Sequence, residues 1–183
     1  MILYALFFCI FLCQIPCYGF NLMNNKYIPA DYVVMSQEIR AEVADKLSKR
    51  FNMKLVGVTG GLADCVHVLG LRFQIRGPLS KNRLREIIVD CVEEFLTSIN
   101  GNERLRPFLK QYPFTANEID IAIFVIDDKG TEIYEPEISV AAEYAGKIWY
   151  DSVDRDSMFG YKSTMTEDYK TALKIVRETK PSN

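Results

Sequence analysis

Charge is missing from the start of this chain: Met1 to Tyr18 contains no Asp, Glu, Lys, Arg or His, and every residue from Ile2 to Leu12 is apolar. A spanning helix needs about 20 apolar residues, and this run is interrupted by Gln14 and Pro16 well before that. The shortfall argues against a conventional transmembrane helix and fits the apolar core of a secretory signal. Cys17-Tyr18-Gly19 then places small residues two positions apart, as a cleavage site requires. The expected organisation is a signal peptide at 1–19, a polar, proline-ended tether at 20–30, and one domain at 31–180. The protein is then exported, periplasmic or secreted after cleavage near Gly19. Lys and Arg are also lacking ahead of the apolar run, which leaves an uncleaved N-terminal anchor as the alternative and as the chain's one route to a membrane. Lipidation at Cys9, Cys13 or Cys17 lacks the Leu-small-small pattern that it needs.

Other scarcities narrow the chemistry. There is one histidine, His67, so any imidazole-dependent reaction must use it. Beyond Gly19 only Cys65 and Cys91 remain. In an exported protein such a pair suggests a disulfide. If the helix doubles back along the strand, Cys91 lies about 15 Å into it while Cys65 lies roughly 33 Å back along the strand, a mismatch well beyond the ~7 Å a bridge tolerates. Two thiols are expected instead. No nucleophile elbow and no P-loop is present, and Gly57-Val58-Thr59-Gly60-Gly61 lacks the G-x-G-x-x-G spacing of a dinucleotide loop. A basic excess is lacking too: 22 Lys+Arg stand against 24 Asp+Glu, a net charge of −2. That balance argues against a nucleic-acid binder, which would show a basic face.

What is present describes an α+β domain. Met35, Ile39, Val43, Leu47 and Phe51 recur every four residues and make Asp31–Phe51 an amphipathic helix. Lys54–Thr59 reads as a strand, Gly60-Gly61 as a turn, and Cys65–Arg76 as a second strand with Leu69, Leu71, Phe73 and Ile75 facing inward. Ser80 caps a second helix whose stripe runs from Leu84 to Ile99. Glu118–Asp127 is apolar on both faces, Glu137–Tyr144 alternates cleanly, and Ala145-Gly146 turns into Lys147–Val153. Asp154–Lys162 reads as a polar loop. Thr164 and Glu167 fit a capping box that opens a last helix. The expected fold is a mostly antiparallel five-stranded sheet packed with three helices, in the order α-β-β-α-β-β-β-α.

The stretch Asn52-Met53-Lys54-Leu55-Val56-Gly57, its continuation through Gln74-Ile75, and Tyr112-Pro113-Phe114-Thr115-Ala116 resemble segments of an uncharacterised family of small exported proteins of intracellular bacteria. The resemblance implies export and transfers no active residue.

No catalytic residue, metal ligand or cofactor is assigned. Cys65 and His67 share one strand face, but Asp64 beside them is the wrong sign for a reactive thiolate. Asp151, Asp154 and Asp156 cluster before Gly160 without the ligand spacing of a calcium loop. The candidate site is the outer sheet face, where Arg72, Phe124 and Tyr150 are expected to lie on one side. That face is apolar enough to call for cover by the first or last helix, or else to serve as a docking surface or ligand groove. The functional expectation is a non-enzymatic exported protein that binds a protein partner or a small ligand. The alternatives are a secreted or envelope hydrolase using carboxylates and tyrosines such as Asp120, Glu137 and Tyr150, or a structural envelope component anchored at its N-terminus. A concave pocket of convergent carboxylates would favour the hydrolase, and a flat apolar patch would favour binding.

Overall fold

The computed structural model describes residues 29–156 and 160–179. The expected signal peptide, and the tether up to residue 28, lie outside the described residues. No helix among the described residues is long and apolar enough to cross a membrane.

The order is α1 (Asp31–Phe51), β1 (Lys54–Gly61), β2 (Val68–Arg76), α2 (Lys81–Gly101), β3 (Ile119–Ile126), β4 (Val140–Tyr144), β5 (Lys147–Val153), β6 (Tyr161–Asp168) and α3 (Tyr169–Thr179). Two short 3-10 turns, Arg106–Phe108 and Ala116–Glu118, separate α2 from β3. Among the described residues the fold is therefore α+β with three helices, but the sheet has six strands and is mixed. Its spatial order is β1-β2-β3-β4-β5-β6. Strands β2 and β3 pair in parallel, and the remaining neighbours pair antiparallel. A parallel pair needs a crossover, which α2 supplies.

Three local readings are corrected. The sixth strand occupies the region read as a loop and a helix start, so Thr164 and Glu167 are strand residues and no capping box opens α3. Thr164 and Thr166 are β-branched and suit an edge strand. Gly60-Gly61 belongs to β1, opposite Leu69 and Val68, and the chain turns through Leu62–His67 instead. Correspondingly β2 begins at Val68, while Val66 makes an isolated parallel bridge to Leu109.

Helix α2 starts where expected: Ser80 Oγ accepts a hydrogen bond from Arg83 N at 3.2 Å, satisfying one otherwise orphaned donor of the first turn. Leu84, Ile87, Ile88, Cys91, Val92, Phe95 and Ile99 are fully buried. They meet Leu69, Leu71 and Phe73 of β2, Ile119, Ile121 and Ile123 of β3, Ala141 of β4, and Ile148 and Tyr150 of β5 in one core. Helices α1 and α3 bury Leu47 and Ala172 in that same core. Since neighbouring residues across a sheet share a face, all three helices lie on one side. Among the described residues no helix lies on the other.

Candidate binding face and polar groove

The strand registers define the helix-free face. Across β1, β2 and β3 it carries Thr59, Gly70 and Asp120 in one row, with Arg72 in the next. Across β3, β4 and β5 it carries Ala122, Ala142 and Trp149 in one row, Phe124, Val140 and Asp151 in a second, and Asp120, Tyr144 and Lys147 in a third. At its apolar centre Ala122 and Val140 are buried and Phe124, Ala142 and Trp149 half-buried, while Tyr144 is 55% exposed.

One polar cluster sits in this surface. Arg72 grips Asp120 with both arms of its guanidinium, Nη1 to Oδ1 at 2.7 Å and Nη2 to Oδ2 at 2.5 Å. Thr59 Oγ1 donates to the same Oδ2 at 2.9 Å. Thr59 and Asp120 stand on strands that are not neighbours, about 10 Å apart at the backbone. They meet because Gly70, between them, has no side chain: a Cβ there would lie 2.1 Å from Thr59 Oγ1 and 2.5 Å from the Asp120 carbonyl oxygen. A glycine inside a strand run is the sequence signal of such a close approach.

Of the three residues expected to share this face, Arg72 and Phe124 do. Tyr150 does not. It pairs with Ala141 and Met165, is fully buried, and points into the core beneath α2. Trp149, its neighbour, takes the outer position, opposite Ala142. The observed β3–β4 register differs by one residue from the one that would turn Tyr150 outward, and such a slip exchanges the two faces of a strand. A two-residue turn with Ala145 and Gly146 at positive φ ties β4 to β5, so the slip carries through both strands. The Asp127–Ser139 connection that sets the β3–β4 register is irregular and gives no such signal. The expected cover by α1 or α3 is likewise corrected, since both pack on the opposite side.

Inside the core, Tyr150 belongs to a network. Its hydroxyl donates to Glu167 Oε1 at 2.5 Å, and Arg85 donates to both oxygens of Glu167 at 2.8 and 2.9 Å. Lys81 Nζ stands 5.0 Å from the Tyr150 ring centroid. Burial alone would raise the Glu167 carboxyl, but the hydrogen bonds from Arg85 and Tyr150 outweigh it and hold it below its ordinary value. Burial, reinforced by Glu167, pushes the Tyr150 phenol up. This network fastens α2 to β5 and β6.

The hydrolase residues are not brought together. Asp120 is on the helix-free face, Tyr150 is on the helix side, and Glu137 lines a groove at the far end of β4 from Tyr144. That groove, about 540 Å³, lies beside Asp127, Glu132, Tyr134, Glu137, Asp154 and Asp156. Asp154 and Asp156, from the expected acidic cluster, are in it. Asp151 is on the helix-free face, with one carboxylate oxygen buried and without a hydrogen-bond partner among the described residues. Asp127 is committed to its own turn, accepting from Lys129 N and Thr131 N. Arg155 stacks over Tyr134 at 5.1 Å. A carboxylate hydrolase needs one acid kept protonated beside one ionised. The carboxyl that burial pushes up to about 8 is Glu143. Glu143 lies near the opposite end of β4 from this groove.

Cys65 and Cys91 are free thiols. Cys91 is fully buried, and desolvation pushes its thiol up. Cys65 and His67 do meet: Sγ lies 3.4 Å from Nε2, and Asp64 Oδ1 lies 2.7 Å from that same nitrogen. The His67 contact holds the exposed Asp64 below the usual carboxylate range. A catalytic triad places acid and nucleophile on opposite ring nitrogens, so this arrangement is not a relay. No family model matches this chain, and no curated protein or solved structure matches it, so the geometry above is what speaks to function.

Proposed function

We propose that this chain is an exported, non-enzymatic protein that binds a protein partner through the helix-free face of its sheet. The observation that carries the reading is the composition of that face. Phe124, Trp149 and Tyr144 surround small residues Ala122 and Ala142, and one guanidinium, Arg72, is already paired and positioned. Buried aromatics and Arg at the centre with polar residues at the rim are what protein interfaces favour. Thr164, Thr166 and Asp168 on β6 supply such a rim. The groove at Glu137 and Asp154 supports a second reading, a small polar ligand held at that end of the sheet. A hydrolase is less well supported, because the groove and the protonated carboxyl are at opposite ends of β4. Anchoring as a structural envelope component depends on retention of Met1–Gly19.

Two measurements test this. Tyr144→Ala and Phe124→Ala should leave the melting temperature within several degrees of wild type and weaken a partner cross-linked from the native envelope by about 2 kcal/mol or more each. Equal affinity of the wild type and both variants would overturn the face as the binding site. Export is tested separately: mass spectrometry of the natively produced protein should find Phe20 at the N-terminus, whereas an intact Met1 would favour the anchored alternative.

A further inference from the structure

We propose that Asp64, Cys65 and His67 form a surface site for a transition-metal cation, with Zn²⁺ the ion that best suits the donor set. Oδ1, Sγ and Nε2 all lie within 4.8 Å of one another. Carboxylate, thiolate and imidazole are the three ligand types that zinc sites use. Zinc bonds of 2.0–2.3 Å at the tetrahedral angle place N and S about 3.6 Å apart, and N and O about 3.4 Å apart. The Sγ–Nε2 separation of 3.4 Å already approaches this. The Asp64–Nε2 separation of 2.7 Å must widen, and the Asp64 side chain, 80% exposed, is free to retreat.

The loop is held on both sides of the site. His67 N donates to Gly61 O at 2.8 Å, Val66 N to Phe108 O at 2.8 Å, and Lys110 N to Val66 O at 3.0 Å. Tyr32 Oη donates to Ala63 O at 3.0 Å. Val66, between the two strongest ligands, is fully buried. The backbone that carries the donors is thus fixed before an ion arrives, and its ordering is not charged against binding. Both neighbours meet one ring nitrogen, so an ion takes the place of the shared proton at Nε2, and the ring carries its proton on Nδ1. Binding converts the Cys65 thiol to a thiolate bonded to the metal and releases its proton to solvent. Affinity therefore falls as pH is lowered. Three protein donors leave a fourth position for water or for a donor from another molecule.

The test uses the full chain, reduced and free of metal, titrated with Co²⁺ and then with Zn²⁺. Wild type should develop one equivalent of a thiolate-to-cobalt charge-transfer band, which Zn²⁺ then abolishes. Cys65→Ser should remove the band, His67→Ala should weaken Co²⁺ binding at least about tenfold, and Cys91→Ser should change neither. Circular dichroism of each variant confirms that the fold persists, and His67→Ala keeps the test open should Cys65→Ser fail to fold. No band in the wild type, a band that survives in Cys65→Ser, or a band lost only in Cys91→Ser would each overturn the site.

Discussion

Gly70→Ala is expected to be among the most damaging single-methyl changes this protein can accept, lowering stability by about 3 kcal/mol or more. The new methyl would sit 2.1 Å from Thr59 Oγ1 and 2.5 Å from a backbone oxygen of β3. Thr59 can rotate away, but only by giving up its hydrogen bond to Asp120. The β3 carbonyl cannot rotate, because β3 is hydrogen-bonded on both sides, to β2 and to β4. Alanine's smaller unfolded-state entropy returns less than about 1 kcal/mol, so the clash decides the sign. Urea unfolding of Gly70→Ala against Thr59→Ala/Gly70→Ala separates the two contributions. If the double variant recovers nearly all the loss, the clash is with Thr59 alone. If the single variant melts like wild type, the close approach of the three strands is wrong.

A second large effect concerns pH. Glu143 is fully buried between Ile121 and Ile148 on the helix side of the sheet. Desolvation pushes its carboxyl from an ordinary 4.5 up to about 8. Gly146 N–H, donating to Oε1 at 2.9 Å, opposes the rise, and Asp120 and Glu118 add to it. Its other oxygen has no partner among the described residues. In the unfolded chain the proton leaves near 4.5, whereas in the folded protein it stays until about 8. Between those values the native state holds the extra proton, so raising the pH favours unfolding. Stability should therefore fall progressively across this window, by a total on the order of a few kcal/mol at about 1.4 kcal/mol per unit, and then level off. Glu143→Gln keeps the acceptor for Gly146 N–H and cannot ionise. It should flatten the slope and melt higher than wild type at pH 9. Denaturant midpoints of the two proteins at pH 5, 7 and 9 check this, and parallel curves would show that Glu143 is not the group responsible.

Much of the architecture was legible because it rests on periodicity. The four-residue recurrence from Met35 to Phe51 marks α1 to its observed ends, and Ser80 with the Leu84–Ile99 stripe marks α2. Strand β3 is apolar on both faces and lies inside the sheet, between β2 and β4. Strand β6 was illegible because its residues are mostly polar. With no apolar alternation to read, Thr164 and Glu167 matched a helix-capping spacing by chance. The candidate face was half legible. Arg72 lies on a strand whose buried face is unambiguous, and Phe124 lies on the face of β3 opposite Ile119, Ile121, Ile123 and Val125. Tyr150 lies beyond an irregular connection that leaves the register open, and alternating Ala, Trp and Tyr side chains suit either face. Trp149 and Tyr144 were missed for that reason. The Asp64 contact to His67 is hidden from a strand reading of Cys65–His67, in which residues three apart lie on opposite faces about 10 Å from each other. In the observed loop they converge.

The sheet's one parallel ladder gives the Arg72–Asp120–Thr59 cluster a further meaning. β1 and β2 close on each other locally, and so do β3 through β6, each strand beside its successor. Only β2 against β3 joins chain segments separated by a whole helix, and such distant pairings carry the largest loop-closure cost. Arg72 reaches across that ladder from β2, and Thr59 reaches over it from β1, both to Asp120 on β3. The cluster is a stitch across the seam between two locally formed sheets. It acts on the helix-free side, while α2 bridges the same seam from the other.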